Sequence, residues 1–304
     1  MRSKTQFLPA DYLLRKHNLE VYVTEELYRR TPFLEAIKVS MNDTGEYSTV
    51  IDSGSVFEDI KDGKMSEAVE AGEAAEFTTV TVQPRKAQLG KTTRYGYTIE
   101  WTRQKERLAQ FTADINLAVN YTITALKYCL EKTIVSGLVE TAGLTPPTLS
   151  DWGDENTIDP LKDFINIRSK FIEDTGVFRA TDAYLSNTAH TKLQLYMAGL
   201  QRDYSAEEVN VDGTVARNAD LSFYGLSKDA IFLDRDNPPG VLEAVVDPDF
   251  STVSGMDGAP TPIINVNRVE EDRAPHRKFM EVWADIGYNS REPKAAMAAQ
   301  LVRS

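Results

Sequence analysis

From Thr112 to Leu138 the chain reads TADINLAVNYTITALKYCLEKTIVSGL, without a proline. Ile115, Val119, Ile123, Leu126, Leu130, Ile134 and Leu138 recur at steps of three or four, the spacing of one face of an α-helix. Leu117, Tyr121, Ala125 and Tyr128 are expected to widen that face, with Asn116, Asn120, Lys127 and Glu131 largely outside it. Gly137 and Gly143 loosen the end of the run. At 1.5 Å per residue the helix is about 40 Å long, a beam beyond the ordinary globular length. An ordinary α+β domain with one buried helix satisfies the same pattern.

The 304 residues suffice for two domains or one large domain with insertions, and 41% hydrophobic with 26% charged residues is a globular composition. No apolar run approaches the ~18 residues of a membrane span, and MRSKTQFLPADYLLRKHN holds no signal-peptide core, which fits cytoplasmic synthesis. Cys129, the single cysteine, excludes a disulfide framework and reads as a small buried hydrophobe. A net charge of −12 argues against gripping nucleic acid over a broad surface.

Residues 1–45 read as an arm with helical fragments at Pro9–Lys16 and Thr24–Arg30, the second N-capped by Thr24 and ended by Thr31-Pro32. Its bases, Arg29 and Arg30 among them, outnumber its acids through Met41. That is either a solvated face or a segment lying across the acidic surface of another subunit. From Glu46 to Trp101 the chain makes a long excursion. Strands are expected at Tyr47–Ile51, Phe77–Gln83 and Thr92–Thr102, with a core-poor stretch from Asp52 to Glu76 between the first two. This pattern describes a two-legged β-ribbon, only marginally stable alone. Its outgoing leg carries Glu58, Asp59 and Glu67 among many acids against Lys61 and Lys64; its return carries Arg85, Lys86, Lys91 and Arg94. Such segregation serves cross-strand pairing within one hairpin, or orientation between copies.

After the long helix, Asp159 is an N-cap with Pro160 at the first helical position, and Leu161, Phe164, Ile165, Phe171 and Ile172 carry a helix up to Gly176. A short strand at Ala183–Leu185 and a helix at Thr188–Leu200 follow. The acidic residues 201–258 read as an inserted subdomain, with strands at Asp229–Leu233 and Val241–Val246 around the turn DRDNPPG. Ile263–Val269 and Lys278–Tyr288 return as strands, and Ala295–Leu301 reads as helix or closing strand.

Chemical motifs fail one by one. Gly90-Lys91-Thr92-Thr93 imitates the end of a phosphate loop, but Arg85 stands where the first glycine belongs, so it reads as a strand entry. His17, His190 and His276 form no metal pair, and Pro238 breaks the calcium-loop pattern begun by Asp234 and Asp236. No nucleophile–base set emerges, so no catalytic residue, metal or cofactor is assigned.

The order of parts resembles the major capsid protein of tailed double-stranded DNA viruses, with the Hong Kong 97-like fold. The best local likenesses are Tyr28–Ile37, Ala68–Gln104, Ala183–Leu200 and Met280–Gln300. The resemblance implies an α+β chain with an N-terminal arm (1–45), an extended E-loop (46–101) and a P-domain (102–200 and 259–304) built on the spine helix 112–138. An inserted A-domain (201–258) completes it. It further implies a non-enzymatic virion protein, assembled in the host cytoplasm into hexamers and pentamers of an icosahedral shell around DNA, with no sequence-specific binding and no membrane. A portal protein and a decoration protein are partners the resemblance implies, and with only 45 residues before the E-loop it implies a separate scaffolding protein or none. Candidate contacts between subunits are Arg29, Arg30, Glu58, Asp59, Lys61, Lys64, Glu67, Arg85, Lys86, Lys91 and Arg94. No motif marks Lys61 or Lys64 for a covalent cross-link. An encapsulin-type nanocompartment shell shares these parts, and an acidic cytoplasmic α+β enzyme is the alternative from another class.

Overall fold

The computed structural model describes residues 8–52, 86–154, 157–200, 208–211, 213–219, 221–247, 249, 261–270 and 277–303. Two compact units divide the chain: Met1–Tyr47, Gly90–Ile134 and Val241–Tyr288 in the first, and Ser48–Leu89, Val135–Gly240 and Asn289–Ser304 in the second. No described helix is long and apolar enough to cross a membrane.

In the first unit, helices α1 (Ala10–Leu13), α2 (Lys16–Arg30) and α3 (Phe33–Ala36) lead into strand β1 (Lys38–Met41). The two arm fragments expected from the sequence are therefore one short and one fifteen-residue helix. Nothing between His17 and Val23 breaks a helix, and Leu19, Val23 and Leu27, four apart, are all buried. Thr24 is correspondingly a buried mid-helix residue and not an N-cap. Thr31 does end the helix, in extended backbone ahead of Pro32. The arm does not wait for another subunit to bury it. It packs on its own chain, with Arg268 Nη1 donating to the Leu14 carbonyl (3.2 Å) and Tyr28 Oη to that of Thr261 (3.0 Å).

Strand β2 (Glu46–Asp52) pairs with β3 (Lys86–Lys91), and β4 (Thr93–Thr102) follows after one residue. Thr92 is thus a joint between two strands. The remaining strand expected there, Phe77–Gln83, lies outside the described residues. The long helix, α4, spans Phe111–Thr141, 31 residues or about 46 Å. It runs through Gly137, since one glycine costs only about 1 kcal/mol against an otherwise well-packed helix.

In the second unit α5 (Pro160–Thr175) starts as expected: the Asp159 carboxylate accepts from Lys162 N (3.2 Å), Pro160 opens the helix, and Gly176 closes it at φ 68°. Strand β5 (Asp182–Leu185) and helix α6 (Asn187–Gly199), capped by Ser186, come next. Strands β6 (Glu208–Val211), β7 (Thr214–Asn218) and β8 (Ala230–Leu233) follow, and β12 (Ala296–Ala299) closes the chain. They form one five-stranded sheet in the order β12-β8-β5-β7-β6, with only β5 and β7 parallel. The boundary expected at residue 200 therefore falls within one hydrogen-bonded layer: β5 precedes it, while its partners β7 and β8 follow. Residues 135–240 belong to a single compact unit, and those from Val241 to Tyr288 join the other. Residues 201–258 are not a self-contained insertion.

The ambiguous C-terminal segment is a strand. Ala296–Ala299 are all buried and pair antiparallel with β8, where small side chains fit between covered faces. Under the sheet, Trp152 stacks on Phe164 (6.3 Å), whose edge meets Phe232 (5.3 Å). The buried Asp163 accepts from Trp152 Nε1 (2.8 Å) and Ser150 N (3.0 Å), so this carboxylate is satisfied inside the core. Asp229 holds the chain end by accepting from Leu301 N (2.6 Å) and Val302 N (2.7 Å).

Candidate assembly surface

Strands β9 (Gly240–Ala244), β10 (Asn265–Glu270) and β11 (Arg277–Ser290) complete the first unit's sheet. β11 is its axis. Residues 278–283 pair with β10, and residues 277–286 pair with β4. Two strands facing the same residues must sit on opposite edges, so β4 has one partner, β11, among the described residues. Ten residues long, β4 presents a row of backbone donors and acceptors at an open edge.

Beside this edge runs α4, with two apolar stripes. Ile115, Val119, Ile123, Leu126, Leu130 and Ile134 are buried, as their spacing requires. Leu117 and Tyr121 do not widen that face: they are 53% and 67% exposed. Asn116 and Glu131, expected outside, are buried instead. Asn116 holds the arm, its Nδ2 donating to the Leu8 carbonyl (2.6 Å) and its Oδ1 accepting from Leu8 N (3.1 Å). Glu131 faces Lys127 at 3.5 Å. Between β4 and the outer stripe lies an open groove of about 630 Å³, lined by Tyr97, Ile99, Tyr121, Ala125 and Tyr128.

The turn leading into β2 lies in the same unit. Asn42 Oδ1 accepts from Thr44 N (2.9 Å) and Gly45 N (3.0 Å), and Gly45 takes φ 70° to complete the turn. Tyr47 lies against two glycines: a Cβ on Gly90 or Gly287 would meet its ring or hydroxyl at 2.3 or 2.4 Å. Burial, and then the Glu243 carboxylate, push the Tyr47 phenol above its usual range. At the far end of β4, Glu106 accepts from Trp101 Nε1 and Lys278 Nζ, both at 2.8 Å. Burial raises its pKa, but these hydrogen bonds and the nearby cations outweigh it and hold the carboxyl below its usual range.

The charged residues expected to contact neighbours are dispersed, and Arg29, Arg30, Lys91 and Arg94 have partners within the chain. Arg29 and Arg30 both pair with the buried Glu26 on their own helix. Lys91 pairs with Glu46 (3.1 Å), while Arg94 pairs with Asp285 (3.2 Å) and lies over the Trp283 ring (5.6 Å). Lys86 belongs to β3. Glu58, Asp59, Lys61, Lys64, Glu67 and Arg85 lie outside the described residues. What sequence reasoning missed is the apolar part of the surface: Tyr97, Leu117 and Tyr121. Its one signal was an α4 pattern apolar over more of the helix circumference than a single packed face needs.

No family model and no curated protein matches the sequence. Solved structures do match the fold over most of its length. The virus-like particle from Pyrococcus furiosus is similar at TM-score 0.54 and 9% identity, over 93% of this chain and 97% of that one. The capsid of an empty GTA particle is similar at TM-score 0.56 and 10% identity, over 88% and 89%. The capsid of the cyanophage P-SCSP1u gives 0.52 and 9%, over 90% and 89%. The chain has the Hong Kong 97-like capsid fold.

Proposed function

We propose that this chain is a major capsid protein, a structural subunit whose copies form hexamers and pentamers of a closed shell around double-stranded DNA. The observation that carries the reading is a surface of the first unit without a partner among the described residues: a ten-residue strand edge beside an exposed apolar stripe on the spine helix. A lone soluble protein gains nothing from such a surface and risks aggregation; a subunit of an assembly covers it with a neighbour. The similar solved structures named above, a virus-like particle and two capsids, favour the same reading. In this reading residues 46–101 are the E-loop, the sheet of β5–β8 and β12 is the A-domain, and the chain is no enzyme. Portal and scaffolding proteins are its partners. The charge of −12 suits a shell whose lining does not pin the packaged DNA.

Electron microscopy of the purified full-length chain tests this: uniform closed shells are expected, and small discrete oligomers overturn the reading. Nuclease-protected DNA inside shells recovered from the native source is the expected content. An enclosed protein cargo instead establishes the encapsulin alternative.

A further inference from the structure

Tyr47 brings together three places far apart in the chain. Opposite edges of its ring lie against Gly90, near the end of β3, and Gly287 of β11, and all three residues belong to the first unit. A Cβ on Gly90 would meet ring atom Cε2 at 2.3 Å, and one on Gly287 would meet the hydroxyl at 2.4 Å and Cε1 at 2.6 Å. At each glycine the three nearest atoms are all Tyr47's. Neither glycine takes the left-handed φ found at Gly45, so glycine supplies space here and not backbone freedom. Glycine inside a strand weakens it, and two of them flanking one ring mark a close approach.

We propose that Tyr47 is a lock: seated between Gly90 and Gly287, its ring clamps the first residues of β2 and the last of β3 to β11, and unseated it lets that root open. The consequence for assembly rests on the shell reading above: a subunit whose root stays clamped enters the shell in one arrangement.

The ring is the strongest tie at this root. β2 and β3 form a two-stranded sheet with no third strand among the described residues, and such a pair is marginal by itself. One backbone bond closes the turn, from Thr92 N to the Gly45 carbonyl (2.9 Å). The Lys91–Glu46 ion pair (3.1 Å) is exposed on both sides and contributes little. The Tyr47 hydroxyl reaches the Lys91 carbonyl at 3.5 Å, too long for a good O–H···O bond. What holds is therefore the fit of an aromatic ring into a slot that two glycines leave open.

Hydrogen exchange on the full-length, unassembled chain tests the lock, read at the Thr92 amide. Tyr47→Ala removes the ring, and Gly90→Ala fills its place with a methyl group. Each is expected to speed exchange at Thr92 by about tenfold or more, with the amides of α4 and of the β10–β11 ladder unchanged. Tyr47→Phe keeps the ring and is expected to exchange like the parent. In the Tyr47→Ala, Gly90→Ala double variant the methyl group has no ring to displace, so it adds little beyond Tyr47→Ala alone. Thr92 exchange unchanged in both single variants overturns the inference. So does acceleration spread evenly over the first unit, or a double variant whose effects simply add. Light scattering on the same variants reads the consequence: the two opened roots need a higher concentration to assemble, and Tyr47→Phe does not. If they assemble at the parent's concentration, the consequence is overturned and the shell reading stands. If the parent itself forms no shells, the shell reading falls and the lock is judged on exchange alone.

Discussion

The two stripes of the spine helix make a controlled comparison. Leu126 and Leu117 are the same residue type on one helix, within the same compact unit, but Leu126 is fully buried and Leu117 is 53% exposed. Truncating Leu126 to alanine removes a side chain enclosed on all sides. The lost burial plus the cavity costs about 3 kcal/mol, in a range of roughly 2–5. In a unit of this size that lowers the melting midpoint by roughly 6–12 °C. Leu117→Ala leaves no enclosed cavity, and alanine is the stronger helix former, so the unassembled chain shifts by less than about 0.5 kcal/mol. Urea unfolding followed by circular dichroism, on chain kept unassembled at low concentration, measures both. Assembly followed by light scattering should reverse the order: Leu117→Ala raises the concentration needed for shells, although the monomer is unharmed. If Leu117→Ala unfolds the monomer as readily as Leu126→Ala, the outer stripe is not a free surface and the reasoning fails.

Within the second unit, Arg217 pairs with the buried Asp182 and reaches Glu208 at 2.9 Å. Burial lowers its pKa, but the two carboxylates outweigh that and raise it. Arg217→Met leaves Asp182 buried without its partner and should cost about 3–5 kcal/mol, read as a loss of denaturation midpoint; Asp182→Asn in the same chain should recover much of it. His190 is buried, its Nε2 has no hydrogen-bond partner among the described residues, and burial depresses its pKa below the ordinary 6.5. A folded pKa below the unfolded one means stability present above pH 6.5 and lost as pH falls through the folded value. Thermal melts across that window should show the loss in the parent chain and a flatter profile for His190→Leu.

Local features of this chain were legible because neighbouring residues decide them. The spine helix follows from its spacing and lack of proline, and α5 from Asp159-Pro160 at one end and Gly176 at the other. Strands β2, β4, β5, β10 and β11 follow from β-branched and aromatic runs. Decisions that depend on what comes from far along the chain were not legible. Alanine and methionine at 296–299 suit helix and strand alike until β8 offers its edge. The acidic stretch after residue 200 reads as separate until β7 and β8 are seen to pair with β5. Periodicity could show that α4 is apolar on more than one side. Only the packed structure decided that Leu117 and Tyr121 face out beside β4, and that Asn116 is spent on holding the arm. The physical reason is that a helix's apolar arc is fixed by its own sequence, whereas which part of that arc leaves water is fixed by segments more than a hundred residues away.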